Sequence, residues 1–316
     1  MQQINEQQLD QLLAYPALIQ QLRIAFAADY TVPTRHHYNF DNPQATKPNT
    51  LLLMPAWQAG EHVGVKLVIV APENAKKNLP AIQGTYTLFD ANTGVPLAQM
   101  NAPLLTAKRT ACASALASSY LSRKESHSLL MVGTGVLAPH LIQAHASIRP
   151  IKEVYVWGRN FAKAMVLTKQ LKLKDIKLTP IENIADGMSA DIISCATLSP
   201  EPLIHGQYLK PGQHIDLVGS YLPTMREADD EVIRRSILFA DNREGATHES
   251  GDLYIPIQNG LITKDDVLAD LFELCKSEHP GRTASDQITC FKSVGHALED
   301  LAAAQLAYSK IQSNKA

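Results

Sequence analysis

The sequence predicts the α/β class: a doubly wound, mostly parallel sheet in one part of the chain and an α+β arrangement in the other. Three observations carry this. Apolar runs at 129–133 (LLMVG), 153–157 (EVYVW), 176–181 (IKLTPI), 191–195 (DIISC), 214–218 (HIDLV) and 236–240 (SILFA) alternate with segments of helical spacing such as NFAKAMVLTKQLK. The first third instead strings strand-like runs together, as in TLLLMP, HVGVKLVIVAP and GTYTLFD. Between the two regimes lies the Ala-rich stretch LTAKRTACASALASSYLSRK, 105–124, which reads as one long helix.

Taken in order, residues 1–30 read as helix, with Leu9, Leu12, Leu13, Leu18, Leu22, Ala25 and Phe26 at helical spacing. Pro16 divides that region into two helices, because an interior proline breaks the hydrogen-bond ladder. FDANTGVPLAQM reads as two strands around a turn supplied by Asp90, Asn92 and Gly94, so the first sheet is expected to be antiparallel. The end, FKSVGHALEDLAAAQLAYSKIQ, reads as a strong helix. The expected domains are 1–115, with 296–316 returning to it, and 116–295.

Composition excludes several functions. The chain has 316 residues, 45% apolar and 19% charged, an ordinary globular mix with room for two cores. A formal charge of −2 offers no footprint for nucleic acid and no polybasic membrane patch. The polar start MQQINEQQLDQLL lacks a signal-peptide pattern, and no apolar run approaches the roughly 18 residues of a membrane span. Cys112, Cys195, Cys275 and Cys290 are scattered, which reads as buried free thiols in a reducing cytoplasm rather than zinc ligands or disulfides. His36 and His37 have no third ligand at metal spacing, and no metal is expected.

The segment VGTGVLA gives Gly133, Gly135 and Ala138 in the G-x-G-x-x-G/A pattern, after a predicted strand and before a predicted helix. Gly133 permits the turn, Gly135 lets a pyrophosphate approach the backbone, and Ala138 lets helix and strand pack closely. The helix N-terminus then offers free N–H groups to the phosphates. This is a Rossmann-type dinucleotide site. Where an NAD-selecting carboxylate is expected, the chain has Gly158, Arg159 and Asn160. Arg159 suits a 2′-phosphate, so NADPH is the expected cofactor and NADH the alternative.

Several stretches together resemble the ornithine cyclodeaminase/mu-crystallin family. They are LLLMPAW (51–57), GVKLVIVAPEN (64–74), DANTGVPLA (90–98), LTAKRTACASALAS (105–118), VGTGVLA (132–138) and SDQITCFKSVGHALEDLAAA (285–304). The resemblance implies a homodimer whose N-terminal part and last helix bind substrate and dimerise around a Rossmann domain. It implies substrate contacts from Arg35, Met54, Lys66 and Arg109, with the three basic residues holding a carboxylate. The residues agree: Lys66 interrupts an apolar strand, where a charge is costly unless paired, and an arginine fork suits a planar carboxylate. The candidate cofactor set is Thr110, Gly133, Thr134, Gly135, Val136, Ala138, Gly158, Arg159, Asn160, Ala196, Thr197, Val218, Gly219 and Ser293.

Two departures from the cyclodeaminase pattern direct the chemistry. Leu51, Leu52 and Leu53 stand where those enzymes carry a glutamate before the MP pair, and Tyr221 replaces their aspartate. Both carboxylates of the amine chemistry are missing, so the expected activity is reduction of a preformed cyclic ketimine. The substrate would be Δ1-pyrroline-2-carboxylate, giving L-proline, with the six-membered Δ1-piperideine-2-carboxylate, giving L-pipecolate, as a second. Lys66, Arg109 and Tyr221 are the catalytic candidates, and the proton comes from Lys66, a bound water or Tyr221. Ornithine cyclodeaminase and an alanine dehydrogenase type are the alternatives.

Overall fold

The computed structural model describes residues 1–77 and 79–313. It separates into two units: residues 1–109 with the segment from His296 onward, and residues 110–295. The division follows Arg109, a little before the expected residue 115.

The first unit begins with a strand rather than the expected helix. Residues 2–4 are not helical: they form strand β1 (Gln2–Ile4), parallel to β6 (Pro96–Asn101). Asn5 then caps α1 (Glu6–Leu12) with a reciprocal capping box, which stops the helix from extending upstream. Pro16 lies at the start of α2 (Tyr15–Ala27), where a missing N–H costs little. Four further strands follow: β2 (His36–Phe40), β3 (Asn49–Gln58), β4 (His62–Val70) and β5 (Ile82–Asp90). The order is β1-β6-β5-β4-β3-β2, antiparallel except at β1, so the sheet is mixed rather than antiparallel throughout. The β5–β6 turn closes on Asp90, whose carboxylate accepts from the backbone N–H groups of Asn92 and Thr93. Gly94 there takes φ +71°.

The side chains of this sheet alternate. Met54, Ala56, Lys66, Val68, Tyr86, Leu88, Ala98 and Met100 are buried on one face. The chain's last helix, α10 (Ala297–Ser313), lies against β3, β4 and β5 on unit 1. Its Ala302, Ala303, Ala304 and Ala307 are fully buried, and their small size brings the helix close. Residues 314–316 of the expected helix lie outside the described residues. The helix α3 (Ala102–Leu121) starts directly after β6, slightly before the expected 105.

The second unit is an eight-stranded, fully parallel sheet. Its strands are β7 (Ser128–Val132), β8 (Glu153–Trp157), β9 (Lys177–Ile181), β10 (Ile192–Cys195), β11 (His214–Leu217), β12 (Ile237–Ala240), β13 (Val267–Asp270) and β14 (Thr289–Lys292). The six strands read from sequence are present, with ends shifted by one residue or so. Two were missed, β13 and β14. FKSVG does not begin the last helix: Phe291 and Lys292 end β14, and Gly295 turns the chain at φ +81° before α10. The helices between are α4 (Leu137–Ala146), α5 (Phe161–Gln170), α6 (Asp230–Arg235), α7 (Arg243–Glu249), α8 (Gly251–Gln258) and α9 (Leu271–Cys275). The order β13-β12-β14-β11-β10-β7-β8-β9 reverses direction between β7 and β10, the switch point at which such sheets take ligands.

Candidate active site

In the first unit, β4 carries Lys66 onto the buried face, between Met54 of β3 and Tyr86 of β5 in register. The lysine is therefore not an edge residue. Its Nζ lies 2.7 Å from Asp300 Oδ2 and donates to Thr106 Oγ1 at 3.4 Å. Arg109, on α3, donates from Nε to Asp300 Oδ1 at 3.0 Å and from Nη1 to Glu299 Oε2 at 2.6 Å. All four charged side chains are buried. Glu299 and Asp300 occupy the first turn of α10, where the positive end of the helix dipole favours carboxylates.

Burial lowers the Lys66 pKa to about 8; Asp300 opposes that shift, while Arg109 and Arg35 add to it. Burial would raise the Asp300 carboxyl, but Arg109 and Lys66 outweigh it and hold the group ionised. Arg35, half-buried, thus belongs to the same electrostatic cluster, and Met54 borders it. The Tyr86 ring packs beside Lys66, and its hydroxyl lies over Gly64, where a Cβ would come within 1.8 Å of the oxygen.

Sequence reasoning missed Glu299 and Asp300. The signal was present: two adjacent acids inside an Ala- and Leu-rich helical segment need buried cations. The region thus holds carboxylates after all, though not at the two cyclodeaminase positions, and both are engaged with Arg109.

In the second unit, the candidate cofactor residues collect at the carboxyl ends of β7, β8, β10 and β11, except Thr110, which lies on α3, and Ser293, which follows β14. Gly133 takes φ +120°, and a Cβ there would lie 2.5 Å from the Ala196 carbonyl oxygen. Gly135 is exposed, with nothing within 4 Å of the place a Cβ would fill. That opening, at the foot of α4, fits a phosphate cradle. Ala138 is buried under the helix, as close packing requires. Val136 and Leu198 expose 74% and 66% of their surface on neighbouring loops, an apolar rim suited to flat rings. Arg159 and Asn160 are exposed beyond β8, whereas Gly158 is buried: it makes room for Thr134, whose Cγ2 would lie 2.7 Å from a Cβ. Gly158 therefore acts through Thr134 in the turn. Thr110 and Val218 are buried, and Ser293 donates to Asp241 at 2.9 Å. Tyr221 stands exposed in the loop after β11.

A buried carboxylate unnoticed in the sequence joins two of these loops. Glu227 Oε1 accepts from Thr197 N at 2.7 Å and Thr197 Oγ1 at 2.9 Å; Oε2 accepts from Gly219 N at 2.6 Å and Ser220 N at 3.1 Å. Burial pushes its carboxyl up, Lys292 pulls it back, and Asp252 adds to the rise. Of the four free cysteines, Cys112, Cys195 and Cys290 are buried and Cys275 is only half-buried. Among the described residues, no group of three or more His, Cys, Asp or Glu side chains could hold a metal ion.

Comparison with known proteins identifies the family. A model of the ornithine cyclodeaminase/mu-crystallin family matches residues 12–315. This chain belongs to that family. A Δ1-pyrroline-2-carboxylate reductase of Colwellia psychrerythraea strain 34H is 37% identical over 312 residues, covering 98% of each chain. Among solved structures of the family's fold, the Thermococcus litoralis Δ1-pyrroline-2-carboxylate reductase in complex with NADH and L-proline superposes with TM-score 0.92 at 33% identity. That match covers 100% of this chain and 98% of the other. An archaeal alanine dehydrogenase dimer with bound NAD gives TM-score 0.91 at 25% identity, over 100% and 97%.

Proposed function

We propose that this member of the family is an NAD(P)H-dependent imine reductase that converts Δ1-pyrroline-2-carboxylate to L-proline, and Δ1-piperideine-2-carboxylate to L-pipecolate. The observation that carries the reading is the buried charge cluster. Arg35, Lys66 and Arg109 supply three cations against the carboxylates of Glu299 and Asp300, leaving one positive charge for one substrate carboxylate. Relatives named for this reduction, one of them seen with NADH and L-proline, support the same reading.

In this mechanism Arg35, Lys66 and Arg109 receive the substrate carboxylate and so orient the ring. Asp300, bound to both Lys66 and Arg109, fixes the two cations relative to each other. Lys66 holds a proton at Nζ with a pKa of about 8 and passes it to the imine nitrogen, making the imine carbon electrophilic. The bound reduced nicotinamide supplies the hydride. The neutralised lysine regains its proton from solvent before the next turnover.

The open place at Gly135 would seat the pyrophosphate, with α4 presenting its first N–H groups. NADPH is the preferred cofactor in this reading, since β8 ends without a carboxylate and Arg159 is exposed beside Gly158. We place the protein in the cytoplasm as a homodimer. The free thiols suit a reducing compartment, and no described helix is long and apolar enough to cross a membrane. The second face of the first sheet, with Leu51, Leu53, Val65, Leu67 and Ile69 half-buried or exposed, supplies an apolar surface for a second copy.

The test is oxidation of NADPH and NADH, measured separately by absorbance with each cyclic imine. We expect turnover with the pyrroline acid, faster with NADPH, and one L-proline per cofactor oxidised. Ammonia release from L-ornithine, or turnover of pyruvate with ammonia, without oxidation by either imine would overturn the assignment.

A further inference from the structure

Glu227 is the point at which two separate strand-end loops meet. The loops after β10 and β11 approach so closely that a Cβ on Gly219 would lie 2.0 Å from the Thr197 carbonyl oxygen and 2.2 Å from its nitrogen. Glu227 faces both loops and accepts four hydrogen bonds from Thr197, Gly219 and Ser220. A neutral side chain could not satisfy three backbone N–H groups and a hydroxyl at once, because a glutamine offers one acceptor oxygen where the carboxylate offers two. The carboxylate is itself held from behind. Asp252 Oδ1 accepts from the Glu227 and Ala228 nitrogens at 2.7 and 3.1 Å. Lys292 Nζ, from the end of β14, donates to Asp252 Oδ2 at 3.1 Å and lies 3.9 Å from Glu227. Lys292, Glu227 and Asp252 are fully buried, so solvent screens none of these interactions.

We propose that Glu227 is a positioning residue for the cofactor: its carboxylate, backed by Asp252 and Lys292, sets the loops of Thr197 and Gly219 at the spacing the dinucleotide needs. The proposal rests on the reading of those loops as cofactor contacts. It also bears on Tyr221, since the adjoining Ser220 nitrogen is one of the four donors and Ser220 Oγ donates to Met225 O at 2.7 Å within the same loop. Glu227 does not act on the imine, so its loss is read at the cofactor.

The experiment compares the wild-type chain with Glu227→Gln and Glu227→Ala by calorimetric titration with NADPH, and by the KM for NADPH, the KM for the pyrroline acid, and kcat. In the glutamine variant an amide nitrogen must face backbone N–H donors on one of the two loops. We expect the NADPH Kd and KM to rise roughly tenfold in Glu227→Gln and further in Glu227→Ala, with the imine KM held within about twofold. Direct NADPH binding separates this proposal from the functional one: a chain that reduces neither imine but loses NADPH affinity on Glu227→Gln keeps the first and discards the second. An unchanged Kd for NADPH overturns the proposal, as does a uniform fall in kcat with both KM values unchanged, which is the mark of a smaller folded fraction. Should Glu227→Gln fail to fold, Asp252→Asn decides. It leaves the Glu227 contacts to the loops in place and loosens their backing, so a rise in NADPH Kd sustains the proposal and an unchanged Kd rejects it.

Discussion

An isolated buried ammonium or guanidinium costs several kcal/mol, so Lys66 and Arg109 persist only because Glu299 and Asp300 lie within ion-pair distance. The cluster compensates Arg109 fully and Lys66 incompletely. Opposing carboxylates hold the guanidinium charged, whereas burial brings Lys66 down to about 8. The sign follows for stability: a lysine with a folded pKa below the 10.5 of its exposed form binds fewer protons when folded. Its cost is therefore greatest below about pH 8 and fades as pH rises toward 10.5. The sign for activity is opposite in the proposed mechanism, where Lys66 must be protonated to serve as the donor. We expect kcat/KM for the pyrroline acid, which reports the free enzyme, to fall as pH rises through about 8. Asp300→Asn removes the carboxylate that raises the Lys66 pKa, so the falling limb should move to lower pH. A limb that stays in place in that variant, or a kcat/KM flat across the range, would remove Lys66 as proton donor. Lys66→Ala should lower kcat/KM by about a hundredfold through loss of a charged hydrogen-bond donor.

Two glycines of one short turn make opposite demands on the strand–turn–helix element that contains them. Gly133 sits at φ +120° against the Ala196 carbonyl, while Gly135 has open space where a side chain would go. Gly133→Ala should therefore destabilise the fold by about 1–3 kcal/mol, seen as a lower Tm. Gly135→Ala should leave Tm unchanged and weaken NADPH binding, since its methyl group would fill the open place that the proposed reading gives to the pyrophosphate. Equal NADPH affinity in Gly135→Ala and wild type would remove the phosphate from this turn. Such a turn was legible because its constraint is local: a strand, glycines at fixed offsets, then a helix. The six strands with long apolar runs were legible for the same reason. β13 and β14 were not, since each is only four residues long and ends in a charged one, too short to show a period of its own. Lys66 and Arg109 announced themselves as charges in apolar settings. Their partners Glu299 and Asp300 lie at the far end of the chain, 190 and 191 residues beyond Arg109 and further still from Lys66, and only the tertiary fold pairs them. Glu227 was hidden likewise, its donors coming from two other loops.

At the scale of the whole molecule, the first sheet must satisfy two masters, and the strand pleat separates them. Lys66 points to the face where α10 packs, and Leu67, next along β4, points away with 42% of its surface exposed. Leu67 stands opposite Leu53 in register, and the pairs Leu51–Ile69 and Pro55–Val65 extend the same apolar strip. A contiguous apolar surface of this kind on a sheet face is costly to leave in water. In a twofold dimer each substitution there counts twice, because the same patch serves both copies. Leu67→Glu should therefore turn a dimer into a monomer at micromolar concentration, as read by sedimentation or light scattering. The far-ultraviolet circular dichroism should stay unchanged, because the side chain projects from the face opposite the packed core. If Leu67→Glu keeps the wild-type mass, the strip is not the interface. If wild type itself sediments as a monomer, the homodimer assignment fails with it.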